Sequence, residues 1–403
     1  DKNSEKISKL NNNEIPFFEP GLEELVNKNY FSGRLKFTTN LEIAVKNSDI
    51  IFICVGTPTS KNDGSADLKY VFKAAKELSK YINKFKIIVT KSTVPISTGD
   101  KIEKIILKRK RKKLFEVVSN PEFLREGEAI RDFRFPDRIV IGSSNKKVIK
   151  KMESLYTPLI RKGAKFISSS RRGAEIIKYA SNGFLATKIS FINEIANLCE
   201  KTGVDVEDVS IGIGLDQRIG SRFLRAGPAY GGSCFPKDTK ALTVTGDLFK
   251  TNLSIVKSVI KSNINRRVLL TNRIKKILSN KIKNKIISFL GVTFKPNTDD
   301  MRESSSLSMI PYLSKKGAII NYYDPSGEKE IFNRIKNVNY CDNIKQACIN
   351  ADLIIIHTEW EEFKALDFNK ISKKRNFKIY DLRNLYSVDF MKRKGFNYFS
   401  IGR

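Results

Sequence analysis

In the run Gly231-Gly232-Ser233-Cys234-Phe235-Pro236-Lys237-Asp238 a thiol stands where protein chemistry tends to make it reactive. Two glycines let the backbone come close to a ligand, and Pro236 followed by Asp238-Thr239-Lys240-Ala241-Leu242 reads as a helix start with proline in its favoured early position. Cys234 then sits at the helix N-terminus, where the positive end of the helix and Lys237 both favour thiolate over thiol. A buried structural cysteine in a glycine turn is the other reading of the same residues. Lys178 and Asn182 are four residues apart in a helical stretch and share one face; alone they are an ordinary polar stripe. Glu122 reads equally as a helix-start carboxylate, and Asp238 as a first-turn acid favoured by the helix dipole.

Those residues need elements to hold them. Ile50 to Val55, Lys86 to Thr90 and Phe115 to Val118 are apolar strands emptying into the polar loops Gly56-Thr57-Pro58-Thr59, Lys91-Ser92-Thr93-Val94-Pro95 and Ser119-Asn120-Pro121-Glu122. Helical stretches Leu68 to Tyr81 and Gly99 to Leu107 lie between them, which predicts a parallel sheet with ligands gathered at the strand C-termini. A long helix from about Gly173 to Thr202 is apolar over much of its circumference (Ile176, Ile177, Phe184, Phe191, Leu198), as expected of a spine buried between domains or subunits. A second alternation runs through strand Ile286 to Leu290, helix Leu307 to Lys315, strand Ile319 to Tyr323, helix Lys345 to Ile349 and strands Leu353 to Ile356 and Lys378 to Tyr380. The expected fold class is α/β: two Rossmann-like, doubly wound parallel-sheet domains joined by a long central helix in a helical dimerisation region. The expected domains are residues 1–170, 171–265 and 266–403.

With 403 residues the chain is too long for one ordinary core, and 40% hydrophobic with 29% charged residues describes a soluble globular protein. No apolar run approaches a membrane span and the first residues are not a signal peptide, so a cytoplasmic protein with no membrane partner is expected. The net charge of +31 invites a nucleic-acid reading. Lysine is spread along the chain with Asn and Ile, however, as compositional bias produces, and the densest cluster, Lys108 to Lys113, reads as a solvated loop. No nucleic-acid partner is expected; an anionic small substrate suits the charge without being selected by it. Cys54, Cys199, Cys234, Cys341 and Cys348 are odd in number and lack metal-type spacing, which argues against a disulfide framework and a zinc site. The single histidine, His357, closes a strand and reads as structural, leaving lysine, carboxylates and water to move protons.

No full Gly-x-Gly-x-x-Gly occurs. Gly212-Ile213-Gly214 follows a helix and lacks the third glycine. Asp1, followed by Glu5-Lys6-Ile7, reads as the end of a second Rossmann strand, where an acidic residue holds the adenosine ribose of NAD. On that reading the chain starts just after a phosphate-binding glycine loop and, as given, is expected to bind NAD poorly.

The ordered motifs Glu14-Ile15-Pro16-Phe17-Phe18-Glu19-Pro20-Gly21-Leu22, Val55-Gly56-Thr57-Pro58, Lys91-Ser92-Thr93-Val94-Pro95, Asn120-Pro121-Glu122-Phe123-Leu124-Arg125-Glu126-Gly127, Pro136-Asp137-Arg138-Ile139-Val140-Ile141-Gly142, the Cys234 run and Phe294-Lys295-Pro296-Asn297-Thr298-Asp299-Asp300-Met301-Arg302-Glu303 span the chain. Together they resemble the UDP-glucose 6-dehydrogenases, a branch of the nucleotide-sugar 6-dehydrogenases; the GDP-mannose branch is the nearest alternative, and a catalytically dead nucleotide-sugar-binding homologue is another. The resemblance implies oxidation of a sugar C6 alcohol to a carboxylate in two hydride transfers to NAD, with Cys234 forming a thiohemiacetal and then a thioester. It implies that Lys178 and Asn182 steady an oxyanion, that Asp238 holds a water and that Glu122 with Thr93 activates water for hydrolysis. Around NAD it places Asp1, Lys6, Thr57, Thr93, Glu126, Lys237 and Arg302. Around the UDP-sugar it places Glu122, Phe123, Leu124, Lys178, Asn182, Phe223, Leu224, Tyr230, Gly231, Phe235, Phe294, Lys295 and Arg383, with Arg218 reaching in from a neighbouring subunit of a homodimer or higher homo-oligomer. Ala229 departs from the family, which usually has glycine there.

Overall fold

The first sheet of the computed structural model is built from β1 (Ile50–Ile53), β2 (Lys86–Thr90), β3 (Phe115–Ser119), β4 (Arg138–Gly142) and β5 (Lys165–Ser169), in that spatial order. The structure describes residues 1–403 apart from Phe18, Lys61, Asn62 and Arg375, so Phe18 of the motif Glu14 to Leu22 lies outside the described residues. Strands β1 to β3 are parallel, as are β4 and β5, in keeping with the expected parallel-sheet domain, while β3 meets β4 antiparallel at Ser119 and Gly142. A parallel return needs a crossover helix. Between β3 and β4 the chain instead forms the Glu122 loop and only a six-residue helix.

Helices α1 (Ser4–Asn11), α2 (Leu22–Phe31) and α3 (Leu41–Asn47) precede β1; α4 (Lys69–Leu78) and α5 (Thr98–Leu107) alternate with the strands, followed by α6 (Ala129–Arg134) and α7 (Lys146–Ile160). Asn3 caps α1 by accepting the Lys6 N–H at 2.9 Å, so Glu5-Lys6-Ile7 is helical rather than the end of a strand. Alternation along β2 and β3 sends Ile88 and Val117 to one face with Val71, Ala75 and Ile102, and Ile87, Val89 and Val118 to the other with Val148 and Met152. Burial on both faces explains why these strands read as mostly apolar runs rather than as an apolar-polar alternation.

Two compact units result. One comprises Asp1–Asn182 and Lys240–Asn252; the other comprises Gly183–Thr239 and Leu253–Arg403. The 32-residue α8 (Arg171–Thr202) contributes to both, as does α10 (Phe235–Leu248), which follows α9 (Val206–Gly214). Gly212-Ile213-Gly214 is the last turn of α9 rather than a segment after a helix.

The second unit continues with α11 (Ser254–Ile277), β6 (Ile286–Leu290), α12 (Ser306–Lys315), β7 (Ile319–Tyr323), β8 (Val338–Tyr340), α13 (Ile344–Cys348), β9 (Leu353–Ile356), α14 (Phe368–Ile371), β10 (Lys378–Asp381), α15 (Val388–Arg393) and β11 (Asn397–Ser400). Its strands are all parallel in the order β11-β10-β9-β6-β7-β8. Strand order reverses between β6 and β9, the switch point outside which open α/β sheets bind ligands. Among the described residues there is no disulfide, no group of His, Cys, Asp and Glu fit to hold a metal, and no helix long and apolar enough to cross a membrane.

Candidate active site

In the first unit the expected residues come from the loops after β1, β2 and β3 and from α8. The buried Thr57 donates its hydroxyl to the Thr93 carbonyl at 2.9 Å, and Ser92 Oγ donates to the Val55 carbonyl at 2.7 Å, so the loops after β1 and β2 are tied together. Glu122 folds its own turn by accepting the Leu124 N–H on Oε2 at 2.6 Å. Its other oxygen stands 3.5 Å from Lys178 Nζ, whose side chain is 4% exposed. That ammonium faces the Phe123 ring 5.2 Å from its centroid, and the Arg138 guanidinium faces the same ring at 3.9 Å. A buried ammonium is costly without a carboxylate, and Glu122 supplies one. The structure therefore brings Glu122, Phe123 and Lys178 together, with Leu124 bonded to Glu122 and the buried Asn182 one turn further along α8.

Several supports of this group were not anticipated from sequence. Glu19 accepts the N–H groups of Gly127 and Ala129, each at 2.8 Å, and so shapes the segment carrying Glu126. Tyr156 and Lys91 both donate to Asn120 Oδ1, at 2.5 and 3.3 Å, fixing the residue two before Glu122. Burial pushes the Lys91 ammonium down to about 8, against the opposing pull of Glu122, and pushes the Tyr156 hydroxyl up to about 12. Asp1 and Lys6 lie on the surface 4.0 Å apart.

In the second unit Cys234 immediately precedes α10, and its carbonyl accepts the Asp238 N–H at 2.8 Å, the first turn of that helix. Its half-buried Sγ lies 3.5 Å from Ser233 Oγ. Asp238 is buried and paired with Lys237 Nζ. The two glycines answer to close approach. A Cβ on Gly231 would stand 2.6 Å from the Glu303 carbonyl oxygen, and one on Gly232, at φ +79°, 2.7 Å from the Phe294 ring. Gly232 also donates its N–H to the Arg302 carbonyl at 2.7 Å. Phe235 packs edge-on against Phe223 and Tyr230, with centroids 6.0 and 6.1 Å away, whereas Leu224 belongs to the core.

The loop 227–230 is held by buried polar side chains that the sequence reading did not single out. Asn193 Oδ1 accepts the Gly227 N–H at 2.9 Å, Arg266 Nε donates to the Gly227 carbonyl at 3.1 Å, and Asn263 bonds both the N–H and the carbonyl of Tyr230, at 2.9 and 3.0 Å. Within this loop Ala229 adopts φ +129°, a region that glycine occupies without strain and alanine does not.

At the β6/β9 switch, Asp324 accepts the N–H groups of Val292 and Thr293 at 2.7 and 3.2 Å, setting the path to Phe294 and Lys295. Lys295 Nζ lies over the Phe294 ring at 5.6 Å. Arg383 donates to the carbonyls of His357 and Phe294 at 2.9 and 2.8 Å, and its Nε stands 2.7 Å from Glu359. His357 is fully buried against Ser305 Oγ (2.7 Å) and Thr358 Oγ1 (3.0 Å); burial, with the Arg383 charge, pulls its pKa down to about 3, so it is neutral. Arg302 pairs with Asp300 at 2.8 Å, and the exposed Arg218 pairs with Asp216 at 2.6 Å.

The chain matches the UDP-glucose/GDP-mannose dehydrogenase family in three stretches: the NAD binding domain over residues 1–160, the central domain over 172–265 and the UDP binding domain over 288–388. It is 48% identical to the UDP-glucose 6-dehydrogenase of Rhizobium meliloti (strain 1021) over 406 residues, covering 100% of this chain and 93% of that protein. It is 44% identical to UDP-glucose 6-dehydrogenase TuaD of Bacillus subtilis (strain 168), covering 100% and 87%. Among solved structures, a UDP-glucose dehydrogenase from the hyperthermophilic archaeon Pyrobaculum islandicum superposes with a TM-score of 0.90 at 34% identity, covering 99% of this chain and 89% of that one.

Proposed function

The chain belongs to the UDP-glucose/GDP-mannose dehydrogenase family, and from that premise we propose that it oxidises UDP-glucose to UDP-glucuronate with NAD. The observation that carries the reading is Cys234 at the start of α10, beside the Lys237–Asp238 pair and inside the stretch matched to the family's central domain. A carbon oxidised twice needs a covalent partner at the aldehyde stage, and a thiol at a helix N-terminus is suited to be one.

The first unit fits a dinucleotide. Its parallel strands β1 and β2 empty into loops tied together by the Thr57 hydroxyl on the Thr93 carbonyl and the Ser92 hydroxyl on the Val55 carbonyl, at the carboxyl edge where such a sheet takes its ligand. By the family resemblance, the residues of this chain that would hold NAD are Asp1, Lys6, Thr57, Thr93, Glu126, Lys237 and Arg302. The chemistry NAD supplies when bound is hydride acceptance, once in each oxidation. Lys178 and Asn182 hold the sugar O6 and balance its negative charge. Cys234 Sγ adds to the C6 aldehyde, forming the C–S bond of a thiohemiacetal that is oxidised to a thioester. Asp238 orders a water; the Glu122 carboxylate takes a proton from the water that attacks the thioester, with the Thr93 hydroxyl orienting it, the C–S bond breaks, and Cys234 leaves as the thiolate ready for the next turnover. The UDP end is held at the β6/β9 switch by Phe294, Lys295 and Arg383, with Phe223, Leu224, Tyr230, Gly231 and Phe235 closing round the sugar; guanidinium and ammonium groups suit a diphosphate.

Phe184, Phe191 and Leu198 are 66%, 51% and 57% exposed at seven-residue spacing along α8. Such a stripe favours a second copy of the chain, with Arg218 then available to the neighbour's substrate. Incubation with UDP-glucose or GDP-mannose and NAD tests the reading: NADH formation with the first supports it, and turnover with GDP-mannose alone moves the chain to the sister activity.

A further inference from the structure

Glu175 is a buried carboxylate to which the chemistry above gives no task, and it precedes Lys178 by one turn on the same face of α8. Its oxygens accept the N–H groups of Ser97 and Gly99, each at 2.7 Å, where α5 begins. Ser97, at φ +71°, makes no side-chain cap, so Glu175 caps α5 from another helix and thereby holds the end of the loop that carries Thr93.

Beside Glu175 is a cavity of about 10 Å³ lined in part by Thr90, Ser92, Ser119 and Lys178. That is close to the roughly 10–15 Å³ a single water needs, and a buried water also needs two to four polar partners. Thr90 is 1% exposed, and among the described residues its hydroxyl has no hydrogen-bond partner. An orphan hydroxyl in a small polar cavity marks a place for water.

We propose that this cavity binds one water bridging Thr90 Oγ1, the Glu175 carboxyl and the Lys178 ammonium, and that through it Glu175 is a positioning residue for Lys178; the role rests on the oxidation proposed above. An ammonium has three N–H donors. One faces Glu122, one goes to the water, and the third is left for the sugar oxygen. The strength of the water link depends on the charge of Glu175. The charged groups beside it are Asp100 of α5, Lys178, which lines the same cavity, and Arg171 of α8 next to Gly99, and burial, with the Asp100 charge, lifts its pKa to about 7. The bridge therefore tightens as pH rises through neutrality.

Wild type, Glu175→Gln and Thr90→Val decide the matter. Glu175→Gln is expected to lower kcat by about 10- to 100-fold with little change in the KM for UDP-glucose, and to abolish a limb near pH 7 in the wild-type kcat profile. Thr90→Val keeps the shape but not the hydroxyl, and is expected to lower kcat and shift the same limb at unchanged Tm. A Glu175→Gln profile parallel to wild type would show a helix cap only and overturn the proposal. Should that variant not fold, Thr90→Val with wild-type kinetics overturns it equally. A high-resolution crystal structure of the wild type is the independent arm: density within hydrogen-bond distance of Thr90 Oγ1 and Glu175 supports the water, and a dry cavity excludes it. Wild type inactive on UDP-glucose at saturating NAD overturns the proposed function instead, while the density still decides the water.

Discussion

Lys178 Nζ stands 3.5 Å from Glu122 Oε1, a nearly buried ammonium against a carboxylate whose side chain is 26% exposed. The pair balances the Lys178 charge, and under the proposed mechanism the same carboxylate also activates the hydrolytic water. Glu122→Gln keeps the shape and loses the charge. The expected outcome is a first round of NADH formation followed by a stall, with the substrate's acyl group retained on Cys234. Intact-mass measurement after mixing with UDP-glucose and NAD checks this, and release of product at the wild-type rate would contradict it.

Ala229 is strained at φ +129° between Gly227, clamped by Asn193 and Arg266, and Tyr230, clamped by Asn263. Ala229→Gly is expected to relieve the strain and stabilise the protein by about 1–2 kcal/mol, less whatever the freer unfolded chain gains. Thermal unfolding of the two proteins is the check, and an unchanged or lowered Tm counts against strain at this position.

That clamp also marks a limit of what local sequence signals carry. Strands β2, β6, β7 and β9 have the expected limits because each is short and dominated by Ile, Val, Leu, Phe or Tyr. The 24-residue α11, the longest helix after α8, carries no clean apolar stripe in its sequence. Its inward face carries Asn263 and Arg266, 6% and 4% exposed, where a core stripe would have Leu or Ile. The residues that hold the Tyr230 loop are thus the ones that break the helical signal. Strands β5 and β11, at sheet edges and half exposed, lack the apolar density that marked the others. Motifs made Cys234, Lys178 and Glu122 legible, whereas Glu19, Asn120 and Glu175 act through backbone N–H groups and remote partners that no local spacing reveals.

Glu175 has a stability consequence of definite sign. Its folded pKa of about 7 lies above the ordinary 4.5, so the folded state holds the proton more tightly, and that contribution is complete below about pH 4.5 and lost as pH rises through 7. Relative to Glu175→Gln, wild type is expected to lose on the order of 3 kcal/mol between those limits. Denaturant titrations at pH 5 and pH 8 measure the difference; a constant gap between the two proteins would show that Glu175 does not titrate there.

His357, the only histidine, offers an internal control. Thr358 Oγ1 spends its one proton on the Thr293 carbonyl at 2.7 Å, so it accepts from His357 Nδ1, and Nε2 accepts from Ser305. Histidine-labelled nitrogen NMR is expected to show one neutral Nδ1–H imidazole that does not titrate between pH 5 and 8; a titrating ring would contradict the buried placement.

The measurement that bears most directly on the account is the stoichiometry of the reaction, with Cys234 as its pivot. UDP-glucose in limiting amount is expected to yield two NADH and one UDP-glucuronate per sugar, in keeping with two oxidations of one carbon, and Cys234→Ser is expected to lower uronate formation by roughly a thousandfold or more. One NADH per sugar with an aldehyde as final product, or undiminished uronate formation by Cys234→Ser, would contradict a thioester on Cys234.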